Sequence, residues 1–245
     1  MVIVVLYFPI GNTADVRKSQ GGISFGIGKI ACEDLTKGLI GYYKFDDVPG
    51  ATINSVEGVD NAVFVNGAAV ASGIRGKAAS FDDTDDYITI SGLNANTAAG
   101  GKNTVSFWMN KSNASNDMVF GWNTTAYQLY FSSGCFGFNT GEGNVFGFPF
   151  SSSDYVNKWV HVVAIFYNGV PDSTNNEIWI NGVKQDIYAC FGSTTASPSA
   201  TTAAFIGKWK NPSLYFGGRI DDVHIYNRAL SASEIEQLYD NPGCP

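Results

Sequence analysis

With 245 residues, 44% of them hydrophobic, the chain can bury a full core, and its length suits one large sandwich or two small domains. Abundant Gly (28), Phe (17) and Tyr (12) among runs of Ser, Thr and Asn, with only 15% charged residues, favour a single body of many short strands joined by polar turns. The formal net charge is −7 and the 15 basic residues are scattered, which excludes a phosphate-tracking groove and sets nucleic acid aside as a partner; no membrane-spanning segment is visible either.

The first element, Met1-Val-Ile-Val-Val-Leu-Tyr-Phe8, is apolar and β-branched and reads as a strand. It is a poor secretory signal: no basic residue precedes the run, Pro9 stops it, and Arg17 and Lys18 stand where a small-residue cleavage site is wanted. Gly21-Gly-Ile-Ser-Phe-Gly-Ile-Gly28 alternates glycine with large apolar residues, a pattern for close backbone approach. Residues 1–37 are therefore expected to be an anchoring arm, with a disordered tail as the alternative.

From Gly38 the chain reads as strand after strand. Gly38-Leu-Ile-Gly-Tyr-Tyr-Lys-Phe45 ends in the turn-prone Asp46-Asp-Val-Pro-Gly50. Thr104–Met109 alternates, with Val105, Phe107 and Met109 on one face, and predicts a half-buried strand. Trp159–Tyr167 is apolar on both faces apart from His161, the pattern of a strand covered on both sides. Asn181-Gly182, between Glu177–Ile180 and Val183–Gln185, predicts a two-residue hairpin turn because both residues accept positive φ. Gly192–Thr202 is a polar loop. Ser231-Ala-Ser-Glu234 is a capping box flanked by Leu230 and Ile235 as a hydrophobic staple, and it predicts a helix to about Tyr239 that stops before Asn241-Pro-Gly243.

Four cysteines lack the close pairs of metal or redox motifs. Pairing Cys32 with Cys244 and Cys135 with Cys190 is favoured because the first two flank the ends of the strand-rich body; four reduced thiols are the alternative.

Several segments occur together in order: Gly38–Asp46, Gly76-Lys-Ala-Ala-Ser-Phe-Asp-Asp83 followed by Asp86-Tyr-Ile-Thr-Ile90, Val105-Ser-Phe-Trp-Met109, Trp159-Val-His-Val-Val-Ala164, Ile178-Trp-Ile-Asn-Gly-Val183 and Gly218-Arg-Ile-Asp-Asp-Val-His-Ile-Tyr-Asn-Arg-Ala-Leu-Ser231. In that order they resemble the laminin G-like, concanavalin A-like domains, in particular their bacterial and viral branch. The resemblance spans roughly Gly38 to Tyr239, and its last motif is the most specific. It implies an all-β, two-sheet antiparallel jelly-roll sandwich whose first and last strands are neighbours, occupying residues 38–245 with one short C-terminal helix. It implies no particular ligand, because fold does not fix function.

An enzyme of this fold with two catalytic glutamates around an Asp on one strand would show a Glu-x-Asp-x-x-Glu pattern, and none is present. Neither His161 nor His224 sits with a Gly-x-Ser-x-Gly elbow, so a non-enzymatic module is expected. If the first and last strands pair, Asp46 and Asp47 approach Asp221 and Asp222, an oxygen-rich corner that fits structural calcium; Asp82–Asp86 is a second acidic concentration. The alternative is that these carboxylates cap turns. For a glycan, Trp122, Tyr127, Trp209 and Tyr215 fall in loop-like segments and are the candidate aromatic platform. Two functions follow. One is a surface module that docks on a larger assembly, a virion decoration, fibre or appendage protein joined through its N-terminal arm as a homo-oligomer or to capsid subunits. The other is a carbohydrate-binding lectin or adhesin module, free or attached to an enzyme. Both place it outside a cell or on a virion surface.

Overall fold

A computed structural model describes residues 35–46, 62–124, 126–141, 143–193, 196–209 and 214–244. The expected Val2–Phe8 strand, the Gly21–Gly28 contact, Cys32 and Asp47 lie outside the described residues. The chain divides after Glu33, and the second unit carries all the described residues. Leu35 is fully buried in it, so the body begins slightly before the expected boundary at residue 38.

Two antiparallel eight-stranded sheets form the body, each alternating apolar side chains into the layer between them. The first sheet contains β1 (Leu39–Tyr43), β3 (Ala69–Ser72), β4 (Lys77–Asp82), β6 (Lys102–Lys111), β11 (Trp159–Tyr167), β12 (Glu177–Ile180), β13 (Val183–Lys184) and β16 (Gly217–Tyr226). Its order is β13-β12-β11-β6-β16-β4-β3, with β1 also on β16. The second contains β2 (Val63–Val65), β5 (Tyr87–Ile90), β7 (Met118–Trp122), β8 (Gln128–Ser132), β9 (Cys135–Asn139), β10 (Val145–Pro149), β14 (Tyr188–Phe191) and β15 (Ala204–Ile206), in the order β14-β10-β9-β8-β7-β15-β5-β2. A short helix α1 (Ser152–Tyr155), not foreseen in the sequence, follows β10, and α2 (Ala232–Asp240) closes the body.

First and last strands are neighbours, as the resemblance implies: β1 pairs Leu39–Tyr43 antiparallel with Val223–Tyr226. β4 takes the other half of the same margin, pairing with Gly217–Ile220. Where the margin passes from β4 to β1, the register between β16 and β6 shifts at Asp221–His224, and Asp222 adopts φ 54°. The Asp-Asp pair is thus a bulge that lets one strand serve two partners.

β6 departs from the expected half-buried pattern, being buried from Asn103 to Lys111. Val105, Phe107 and Met109 enter the inter-sheet core, while Trp108 on the opposite face stacks on Tyr239 of α2 at 5.7 Å and lies 5.1 Å from His161. A helix far along the chain covers the face that alternation assigns to solvent. That helix begins as expected: Ser231 Oγ accepts from Glu234 N–H at 3.4 Å, the Glu234 carboxylate accepts from Ser231 N–H at 2.7 Å, and Leu230 and Ile235 are both buried. The Asn181-Gly182 turn has φ 50° and 77° and links β12 to β13.

Candidate functional site

At one end of the second sheet, three connections converge: residues 112–117 between β6 and β7, the turn after β8, and the segment from Pro149 through α1. They enclose a cleft of about 420 Å³, within the range of small-ligand sites. Its floor is aromatic. Phe131 lies 4.8 Å from Tyr155 and Phe150 lies 4.9 Å from Tyr155, and all three residues are buried, so the rings pack beneath the cleft rather than present a face to it. Ser115, Asn116, Ser132, Ser151, Ser152 and Asp154 supply hydroxyl, amide and carboxylate groups around it. Asn116 Oδ1 accepts from Ser133 N–H at 3.3 Å, which ties the residue to the β8–β9 turn.

A buried ion pair shapes the first wall. Lys111 and Asp117, both with side chains 0% exposed, meet at 2.5 Å, and Lys111 Nζ also donates to Asn113 Oδ1 at 2.8 Å. The ammonium sits 5.5 Å from the Phe131 ring centre. Asn113 and Ser115 continue the network to the Asp83 carboxylate at 2.9 and 3.4 Å. One cation therefore gathers a loop of polar residues that has little apolar content of its own. Burial pushes the Asp117 carboxyl above the usual carboxylate range while Lys111 pulls it down.

The corner expected to hold calcium is otherwise engaged. Asp221 Oδ2 accepts from Ile74 N–H at 2.9 Å and Arg75 N–H at 3.3 Å, and Asp222 accepts from the Tyr42 hydroxyl at 2.8 Å and from Gly243 N–H. Burial, with Asp222 beside it, pushes Asp221 up to about 7. Asp46 is exposed and its Oδ1 accepts from Lys77 N–H at 2.8 Å. These carboxylates fasten turns and the C-terminal segment to the bulge, the turn-capping alternative for Asp46, Asp221 and Asp222. Among the described residues, the carboxylates within 4.8 Å of one another are those of Asp82, Asp85 and Asp86. Of these, Asp82 accepts from Thr84 N–H at 2.9 Å and Asp86 from Gly67 N–H at 2.7 Å.

A family model described as the concanavalin A-like lectin/glucanases superfamily matches residues 81–236, more than half of the chain. The chain belongs to that superfamily. Its similarity to solved concanavalin A-like structures is one of fold. Domain 4 of AbnA, a GH43 extracellular arabinanase from Geobacillus stearothermophilus in complex with arabinotriose, aligns with TM-score 0.55 and 21% identity over 82% of this chain and 98% of that one. The receptor binding domain of botulinum neurotoxin C/D mosaic serotype aligns with TM-score 0.59 and 15% identity over 84% of this chain. The botulinum neurotoxin serotype D ligand binding domain in complex with N-acetylneuraminic acid aligns with TM-score 0.58 and 16% identity over 83% of this chain. This chain spans about half the length of both toxin chains. No curated protein matches it.

Within this concanavalin A-like body the aromatic candidates divide. Trp122 and Tyr127 are both 0% exposed and form no platform. Trp122 packs edge-on against Phe120 and Phe166, and the Tyr127 hydroxyl donates to the Tyr167 carbonyl and accepts from Asn176 Nδ2 at 3.1 Å. The polar segment between them reads as a loop, yet it is a tight connection whose two ends return to the core. Trp209 and Tyr215 are half-buried: Trp209 packs on the outer face of the second sheet with Met118 and Tyr130, and Tyr215 lies 6.5 Å from Tyr87. Cys135 and Cys190 form a disulfide, joining β9 to the edge strand β14 beside the cleft. The cleft residues themselves were missed, because Ser, Asn and Asp in a turn look the same whether they face a ligand or water. The aromatic repeats Phe131, Phe136, Phe148 and Phe150 were the one signal pointing there.

Proposed function

We propose that this chain is a non-enzymatic carbohydrate-binding module whose glycan lies in the cleft between residues 112–117, the β8–β9 turn and α1. The observation that supports this reading is the cleft's composition, hydroxyls, an amide and one carboxylate over a bed of buried aromatic residues, which suits a small hydroxylated ligand. The arabinotriose and N-acetylneuraminic acid complexes of fold neighbours support it as precedent for the fold. The carboxylates support a reading of binding without cleavage: among the described residues at the cleft, Asp154 is on the rim and Asp117 is paired with Lys111, whereas glycoside hydrolysis uses two carboxyl groups facing one bond. The Cys135–Cys190 disulfide fits an oxidising location, outside a cell or on a virion surface. A glycan microarray followed by calorimetry tests the reading. The Asn116→Ala, Ser152→Ala double variant should weaken the selected glycan about tenfold, as loss of two hydrogen bonds predicts. Unchanged affinity would remove the glycan from the cleft.

Docking onto a larger assembly, such as a virion, fibre or appendage, is a second role, carried by the apolar residues 2–8 and supported by the exposed Val183, Tyr188 and Phe191 along one margin of the sandwich. Structural calcium belongs to the same reading as an expectation; an identical melting curve with and without chelator would discard it.

A further inference from the structure

We propose that the side chains of Lys111 and Asn113 join in an amide bond with release of ammonia, which fixes the first wall of the cleft covalently whatever the cleft binds. The cluster around them holds each group that such a reaction needs. Lys111 Nζ, the nucleophile, is fully buried, with the ring centres of Phe131 at 5.5 Å and Phe216 at 5.8 Å. It donates at 2.8 Å to Oδ1 of Asn113, whose side-chain carbonyl carbon is the electrophile. The same oxygen accepts from Ser115 N–H at 3.0 Å and from the Ser115 hydroxyl at 2.6 Å. A turn-capping Asn needs only the backbone donor; three donors on one amide oxygen polarise it and stand where an oxyanion would form. Asp117, fully buried at 2.5 Å from Nζ, is the base. On the far side of the amide, Asn113 Nδ2 donates at 2.9 Å to the exposed Asp83, which holds the leaving nitrogen towards solvent.

The ion pair described above is the reactant, and the three protons on Nζ account for the step. The first passes to Asp117, whose carboxyl burial pushes above the usual carboxylate range. The freed electron pair forms the Nζ–Cγ bond of a tetrahedral intermediate, with its oxyanion held by Ser115 N–H. The second proton passes to Nδ2 by way of the Ser115 hydroxyl, 3.4 Å from Nζ; the Cγ–Nδ2 bond then breaks, the carbonyl reforms and ammonia leaves. The third stays on the new amide nitrogen. A neutral amide and a neutral Asp117 carboxyl replace the buried ion pair, so its desolvation cost disappears and no co-reactant is needed. The bond closes a ring through Ser112 and ties the cleft wall to the end of β6.

The test is peptide mapping of the full chain held at neutral pH, then reduced and digested with trypsin, beside Asn113→Ala and Ser115→Ala. Acylated Lys111 resists trypsin, so the wild type should give a peptide of residues 103–158 that is uncut at Lys111 and one ammonia lighter than its sequence. Asn113→Ala should be cut at Lys111 and lose nothing. Ser115→Ala should convert about a hundredfold more slowly, because one polarising donor is gone. Full cleavage at Lys111 with unchanged mass would overturn the proposal. So would ammonia loss with Lys111 still cut, the mark of an imide closing on the backbone beside Asn113. Equal conversion in urea would show that the folded cluster does not drive the step. Loss of one water in place of ammonia would put the bond on Asp117 and overturn the assignment to Asn113.

Discussion

Lys111 and Asp117 show how much of the candidate site depends on one pair of residues. Both are 0% exposed, so the pair stands on its mutual contact, on the Gly217 backbone beside Asp117 and on the polar loop folded over it. Lys111→Met alone strands a buried carboxylate and should destabilise the protein by about 3–5 kcal/mol. The double variant Lys111→Met, Asp117→Leu should recover most of that loss in a urea melt while still weakening glycan binding, because residues 113–115 lose the ammonium that gathers them. A double variant as unstable as the single one would show that the pair is not the cause. Residue by residue, the sequence was informative about identity of environment only where neighbours are local. Trp122 and Tyr127 lie among Gly, Asn and Thr, and besides Phe120 in β7 their full burial depends on Phe138 of β9 and Phe166 of β11, which are distant in the chain. Asp221 and Asp222 are adjacent acids on a strand, an ion-binding pattern by composition, yet the bulge sends their carboxylates to Ile74, Arg75, Tyr42 and Gly243.

Elements whose signals are contained in a few residues were legible. The capping box of α2 and the Asn181-Gly182 turn each need only four residues, and both formed as expected. α1 was not, since Ser-Ser-Asp-Tyr has weak helix propensity and its single turn is set by the packing of Tyr155 against Phe131 and Phe150. The half-burial expected of β6 failed for a related reason: the cover over Trp108 is Tyr239 of α2, more than a hundred residues away. The same helix carries a pH dependence. Glu234 is held down to about 2 from 4.5, first by its hydrogen bond with Arg228 and then by Ser231. A depressed carboxyl contributes stability that is complete above its unfolded value near 4.5 and is lost as pH falls towards about 2. Melting temperature should therefore decline through that window. In Arg228→Ala the decline should be shallower, because less of the shift remains, and the variant should be less stable than wild type mainly above pH 4.5. Parallel melting profiles for the two proteins across the window would show that the Arg228–Glu234 pair does not contribute.

At the scale of the whole molecule, the described residues form the two-sheet body. Its first strand begins at Leu39, its first fully buried side chain among the described residues is Leu35, and the chain divides after Glu33. β1 is locked by pairing with β16, so closure of the sandwich joins residues 39–43 to residues 223–226. Residues 1–33 carry the apolar run Val2–Phe8 and the Gly21–Gly28 alternation, a composition that solvates poorly and calls for a partner. Removing residues 1–33, with Cys244→Ser to take away the thiol expected to pair with Cys32, should leave a folded body with intact far-ultraviolet circular dichroism and unchanged glycan affinity. Size exclusion with light scattering should then report a monomer, where the full chain assembles. If the shortened chain keeps the stoichiometry of the full one, the arm has no assembling role, and the proposed glycan binding is left as the function to test.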